Sequence, residues 1–150
     1  HRETERTLRS VANARPFSVW QLLGAGAVGS QTLTGIPVLH HVRSHPGLSG
    51  RVRVWPFETG FTADPCAGAT DAVIIAEVWP SAVRFAHLDE ATKDACQVRA
   101  LAEHFGLAAL DGRLAAAFDP AVDDRIRAAV LAEEGWVLRC DAEPASSTRI

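Results

Sequence analysis

Two carboxylates stand where an ordinary surface role does not account for them. Glu77 ends an apolar run, Val-Ile-Ile-Ala-Glu-Val-Trp-Pro at residues 73–80, and Asp94 begins a helically spaced stripe of Val98, Leu101, Ala102 and Phe105. A buried acid is unfavourable unless it is paired, protonated or bound to a metal. Two acids brought together need a shared proton or a divalent cation. Mg²⁺ and Mn²⁺ take oxygen ligands and bridge phosphates, which is the logic of metal-assisted phosphodiester cleavage. Glu77 and Asp94 are therefore candidate metal ligands. The plainer alternatives stay open: Asp94 favours a helix dipole, and Glu77 pairs with an arginine such as Arg99 or Arg6.

A second constellation is Gly24-x-Gly26-x-x-Gly29, which matches the dinucleotide-binding fingerprint. Its glycines would allow a tight turn and close approach of a pyrophosphate at a helix N-terminus. Residues 19–23 are the candidate strand before it and Glu58 the candidate ribose acid, although Glu58 comes later than the usual spacing and Pro37 cuts the following helix. Two other roles suit the same loop: tight packing beneath a helix, or a place at the mouth of the acidic site with its amides facing a phosphate. His40, His41 and His45 lack the intervening acid of a metalloprotease pattern. No Gly-x-Ser-x-Gly occurs, so nucleophilic hydrolase chemistry has no support.

The elements that must position these residues follow from periodicity and breakers. Residues 1–13 are polar, Arg-rich and helical in character. Pro37 suits a first helical position, so the stable part of the second helix is expected after it. Residues 51–57 alternate as a half-exposed strand, with Val52 and Val54 on one face and Arg51, Arg53 and Trp55 on the other. Residues 73–78 form a strand buried on both faces, and pairing should stop by Pro80. Residues 81–110 carry a helical pattern. Asp123 or a neighbour caps a last helix to Glu134, which Gly135 closes. Trp20, Trp55, Trp79 and Trp136 sit in apolar contexts and read as core rather than as a base-stacking platform.

Composition bounds the class. The 150 residues are 47% hydrophobic and 22% charged, in the range of one globular domain with a real core. No apolar run is long enough to span a membrane, and the first residues do not read as a signal peptide. Three widely spaced cysteines give neither a disulfide framework nor a zinc pattern, which fits a reducing, cytoplasmic setting. The net charge of −3 is unevenly spread: residues 1–53 hold seven Arg against two Glu. A basic first third either faces phosphates or is a scattered solvated surface.

Several motifs carry a resemblance. A strand ending Ala-Glu-Val-Trp-Pro-Ser at 76–81 precedes a helix bearing Asp94-Ala95 and Gln97-Val98-Arg99-Ala100-Leu101. With these go Arg2-Glu3-Thr4-Glu5, the stretch from Val19-Trp20-Gln21-Leu22 to Gly35-Ile36-Pro37, Trp55-Pro56-Phe57-Glu58 and Glu133-Glu134-Gly135-Trp136. Together they resemble the predicted nucleases of the ribonuclease H-like superfamily over most of residues 1–140. The resemblance implies an α/β fold, a mixed sheet with flanking helices and an acidic, metal-dependent site. It assigns catalytic acids to Glu5, Glu77 and Asp94, and phosphate contacts to Arg2. Such proteins are also labelled as cobalamin or molybdopterin cofactor biosynthesis proteins. The aspartates of the family's first half, one on the first strand and one before a Phe-Pro turn, have no counterpart. On this resemblance the chain corresponds to the C-terminal part of the domain, its N-terminal strands missing. That would leave a sheet edge for a homo-oligomer or a missing N-terminal segment to cover.

The expectation is a single α/β domain over residues 1–140 with a flexible tail at 141–150. It would be a metal-dependent nuclease or phosphodiesterase, possible loss of activity as a fragment included. Glu77 and Asp94 would ligate Mg²⁺ or Mn²⁺, Glu5 would be a third ligand or a base, and Arg2 and Arg6 would meet phosphate charge. The alternatives are a nucleotide- or cofactor-binding protein using Gly24, Gly26 and Gly29, or a non-catalytic interaction domain. The expected partner is nucleic acid or a nucleotide, and not a membrane.

Overall fold

The computed structural model describes residues 1–12, 15–24, 26–83 and 89–139. Its elements in order are α1 (Glu3–Ala12), α2 (Gly29–Ser44), β1 (Val52–Val54), β2 (Val73–Ile75), a 3₁₀ turn (Pro80–Ala82), α3 (Lys93–Leu110), α4 (Arg113–Ala117) and α5 (Asp124–Ala129). A π-helical turn, Val130–Glu134, continues α5. The fold is mixed α/β, with β1 and β2 paired in parallel as Val52↔Val73, Arg53↔Ile74 and Val54↔Ile75. Among the described residues no helix is long and apolar enough to cross a membrane.

α1 has the sequence of a charged amphipathic helix, with Glu3 and Glu5 in its first turn and Arg9 in its last, the arrangement that suits the helix dipole. It buries Thr4, Glu5 and Leu8, so two of these three buried residues are polar. The main core is a separate cluster. Trp55, Ala108, Ala117, Val130, Trp136 and Leu138 are buried there, with Phe61, Phe105 and Phe118 packed around them. Trp55 meets Phe118 edge-on with centroids 5.8 Å apart, and Phe61 meets Trp136 in the same way at 6.1 Å. The Trp55 indole N–H donates to the Phe118 carbonyl at 3.1 Å, so this buried ring leaves no polar atom unsatisfied.

Several expectations are corrected. The second helix does not wait for Pro37 but runs through it. Pro37 is exposed, so water can reach the carbonyl it leaves without a donor, and the helix is already started by Gly29 N–H donating to Gln21 O at 3.0 Å. Residues 73–78 are not a strand buried on both faces. The ladder covers three half-buried residues, and Glu77 adds one isolated parallel bridge to Val137. β1 is likewise short. The chain turns after Val54 and drives Trp55, placed by alternation among the arginines, into the core at 2% exposure. The helical pattern from 81 divides into the 3₁₀ turn and α3, which starts where Thr92 Oγ1 accepts from Ala95 N–H at 3.2 Å. Residues 84–88 lie outside the described residues, as does the tail from 141.

The buried stripe of α3 is also shifted from the expected one. Cys96, Ala100 and Ala108 face inward, while Asp94 and Ala102 are exposed and Val98 is 68% exposed. Small residues at spacings of four and eight let α3 approach its neighbours closely, and Val98 is left in solvent. Trp20, read as core, is 74% exposed. Both ends of the last helix follow the expectation: at its start Asp123 Oδ1 accepts from Arg125 N–H at 2.9 Å, and Gly135 closes the π turn at φ 70°.

The two faces of α3 separate cleanly in a stability measurement. Ala108→Leu overpacks the core and is expected to destabilise by about 1–3 kcal/mol. Val98→Ala is expected to stay within about 0.5 kcal/mol of the parent. Urea unfolding of both variants checks this, and the sequence-derived stripe predicts the reverse order.

Candidate functional site

One guanidinium organises the region where α1, the end of β2 and the segment after the π turn converge. Arg2 is buried in the residue preceding α1. Its Nη1 donates to Glu77 Oε2 and its Nη2 to Glu77 Oε1, both at 2.7 Å, forming a two-bond fork. Its Nε donates to Glu5 Oε1 at 3.0 Å, and Nη1 donates again to the Glu134 carbonyl at 3.0 Å. Burial opposes the charge of this guanidinium. The hydrogen bonds and negative charge of Glu77, and then those of Glu5, outweigh that and hold it above the ordinary arginine range.

Glu5 is only 2% exposed and accepts from four directions. Besides Arg2 Nε, these are Arg2 N–H at 3.1 Å, Val19 N–H at 3.1 Å and the His1 ring Nδ1 at 3.0 Å. Two further bonds tie α1 to the segment after α5. Glu3 N–H donates to Glu134 Oε2 at 2.8 Å, and Val137 N–H donates to the buried Thr4 Oγ1 at 3.0 Å. Leu138 N–H then donates to Glu77 O at 2.8 Å. A run read from sequence as Arg-Glu-Thr-Glu thus has three of its side chains buried, each on a named partner.

This node sits beside a cleft of about 650 Å³, within the range of small-ligand sites. Arg2, Glu5 and Glu77 lie against it. Gly26, Val28 and Thr32, from the glycine-rich turn and the start of α2, form one wall, and Trp79, Lys93 and Gln97 form another, with Arg15 also on the lining. The turn has left-handed backbone at Gly24 and Gly26. A Cβ at Gly29 would lie 2.5 Å from Val19 O and 2.8 Å from Gln21 O, so the start of α2 is seated directly on backbone carbonyls. This is the close packing that one reading of the loop required. The loop also borders the acidic cleft. The segment before it, at 19–23, is turn and irregular chain rather than a strand, so the dinucleotide fingerprint lacks its βα context.

The sequence-derived residues therefore divide. Arg2, Glu5, Glu77 and Gly26 line one cleft. Asp94 does not join them. It is exposed on the first turn of α3, and its neighbour Lys93 faces the cleft instead, because one residue turns a helical side chain by about 100°. Arg6 is exposed and pairs with Glu3. Glu77 does take an arginine, but Arg2 rather than Arg6 or Arg99; Arg99 is held by Glu90 at 2.7 Å and Glu103 at 2.9 Å. Glu58 pairs with Arg43 and accepts from Val54 N–H at 2.7 Å, where the chain turns after β1. His45 Nδ1 accepts from Gly47 N–H at 3.1 Å, a loop contact. Arg15, Lys93 and Gln97 had no role assigned from sequence, and the signal for Lys93 was its place beside Asp94.

A resident divalent cation on Glu77 and Asp94 does not fit this arrangement. Both oxygens of Glu77 accept from Arg2, and Asp94 lies off the cleft lining. Among the described residues no group of three or more His, Cys, Asp or Glu is placed to hold a metal.

Compared with known proteins, the chain matches no family model, no curated protein and no solved structure.

Removing the guanidinium should be the most damaging change in this region. Arg2→Met leaves Glu5 buried without its main counter-charge and is expected to destabilise by about 3–5 kcal/mol. Glu77→Gln is expected to be milder, because the Glu77 side chain is 45% exposed and water can replace part of the fork. The double variant Arg2→Met/Glu5→Gln should recover part of the loss of Arg2→Met, and a double-mutant cycle on urea midpoints measures it. Gly29→Ala should also be destabilising, since the atoms its Cβ would meet are backbone and cannot swing away.

Proposed function

We propose that the cleft beside Arg2 binds a phosphate-bearing small molecule, with a nucleotide as the leading class. The observation that carries this reading is the meeting of three cations, Arg2, Arg15 and Lys93, with the glycine-rich turn and the first turn of α2 in one cleft of ligand size. Arg2 is already neutralised by Glu77 and Glu5, whereas Arg15 and Lys93 make no ion pair among the described residues, so they offer charge to a ligand. The Arg2–Glu77 fork gives the cleft a fixed polar wall, which favours orientation of a ligand without ordering new side chains.

Titration calorimetry with pyrophosphate and with ATP tests the reading. Binding is expected to weaken with added salt, as a charge-driven contact should. The double variant Arg15→Ala/Lys93→Ala should weaken binding by about tenfold or more, which corresponds to about 1.4 kcal/mol. No heat of binding with either ligand, or binding indifferent to the loss of both cations, would sink the proposal.

The metal-dependent phosphodiesterase implied by the family resemblance has one observation in its favour: Glu5 and Glu77, distant in sequence, share one guanidinium. It requires Arg2 to release Glu77. Mn²⁺ titrations of the parent chain and of Glu77→Gln separate the two readings. Mn²⁺ binding that disappears in the variant favours the hydrolase, and no Mn²⁺ binding beside intact pyrophosphate binding favours a binding domain.

A further inference from the structure

The cleft beside Arg2 is one end of a longer groove. A second cleft of about 600 Å³ adjoins it, and Arg2, Val19, Thr32 and Glu77 line both. The lining is continuous along two walls. On the helical wall Val28, Gln31 and Thr32 line the first cleft, and Thr32, Gly35, Ile36 and Leu39 line the second, all on one face of α2 and the residue before it. On the opposite wall the chain of β2 lines the second cleft with Ile75, Ala76 and Glu77, then the first with Glu77, Val78 and Trp79. The walls run for similar lengths, about 16 Å of helix from Val28 to Leu39 and about 13 Å of extended chain from Ile75 to Trp79.

The two ends differ in chemistry. Arg15 and Lys93 line only the first cleft. The second is lined by Ile36, Leu39, Val54 and Ile75, with the Trp20 and Phe57 rings beside them at 74% and 47% exposure. It also carries two acids absent from the first, Glu133 and Glu134. Glu134 Oε2 already accepts from Glu3 N–H, whereas the exposed Glu133 carboxylate has no ion pair among the described residues.

These differences select the occupant of the second cleft. A phosphate there would meet like charge, so it belongs at the Arg15 and Lys93 end. A plain hydrocarbon would bring the acids no donor. A nucleobase is neutral, its face stacks on an aromatic ring, and an amino-bearing edge donates to a carboxylate. We infer that the groove takes a nucleotide lengthwise, its phosphates at Arg15 and Lys93 and an amino-bearing base in the second cleft, against Trp20 and Phe57 with its amine toward Glu133. The inference rests on the phosphate-site reading and adds the base as a second point of recognition.

Titration calorimetry with pyrophosphate, ADP and geranyl diphosphate tests it, because the three share a diphosphate and differ in what it carries. ADP is expected to bind about tenfold or more tightly than pyrophosphate, the gain that one base–aromatic stack supplies. Trp20→Ala and Glu133→Ala should each bring the ratio of the two affinities down toward one. Leu110→Ala, at an exposed residue that lines neither cleft, should keep the parent ratio. Thermal melts accompany each variant. Should Trp20→Ala fail to fold, Glu133→Ala decides, because Glu133 is solvated and its side chain holds nothing in place. ADP binding no more tightly than pyrophosphate overturns the inference and leaves the phosphate site standing. A ratio that neither variant moves overturns it too, and geranyl diphosphate binding more tightly than ADP overturns it in favour of a hydrocarbon occupant. Absence of binding by all three ligands removes the phosphate site and the inference with it.

Discussion

The Arg2 guanidinium is the constraint on which this region depends. It is a planar donor array, and its bonds run to the acid of its own helix, to the acid beyond β2 and to the backbone at the end of the π turn. Those three pieces are far apart in sequence. A lysine could not replace it, since a single ammonium offers no flat fork for two parallel bonds to Glu77. Because Glu5 is buried and Glu77 is not, the network is asymmetric. The inner acid depends on Arg2 for its charge balance, and the outer one retains access to solvent.

The tryptophan cluster plays the complementary part in the core. It fixes β1 and the chain after the π turn against α3 and α4, through edge-on ring contacts and one indole hydrogen bond. The ladder itself is only three pairs long, too little to stand alone, so the sheet is held by what packs on it. The polar cleft shares no lining residue with this cluster and lies beyond the C-terminal end of β2, at Glu77, Val78 and Trp79. In open parallel sheets ligands collect beyond the carboxyl ends of the strands, and the polar cleft conforms to that geometry.

Much of this was legible in the chain and some was not. The importance of Glu77 could be read because an acid in an apolar run has few explanations, and the Asp123 cap and Gly135 stop could be read because they are local. The close seat of Gly29 was one of the roles weighed for its loop. The stripe of α3 was misassigned because alanines serve either face, and periodicity weighted Val98 and Leu101 above the small residues that permit close approach. Pairing Glu77 with Asp94 followed from that error. The true partner, Arg2, is 75 positions away from Glu77, and no spacing rule reaches that far. Pro37 misled for the opposite reason: its penalty is real, but an exposed site with water at hand tolerates it.

Glu58 has a role beyond its pairing with Arg43. In the parallel ladder Arg51 O and Trp55 N–H face β2, so the N–H and carbonyl of Val54 point the other way. The Glu58 side chain accepts from that N–H, and the Glu58 N–H donates to that carbonyl. The outward groups of the last β1 residue are thus occupied by the chain's own turn. A foreign strand approaching that side finds no free backbone template there, and cross-β growth loses its first rung.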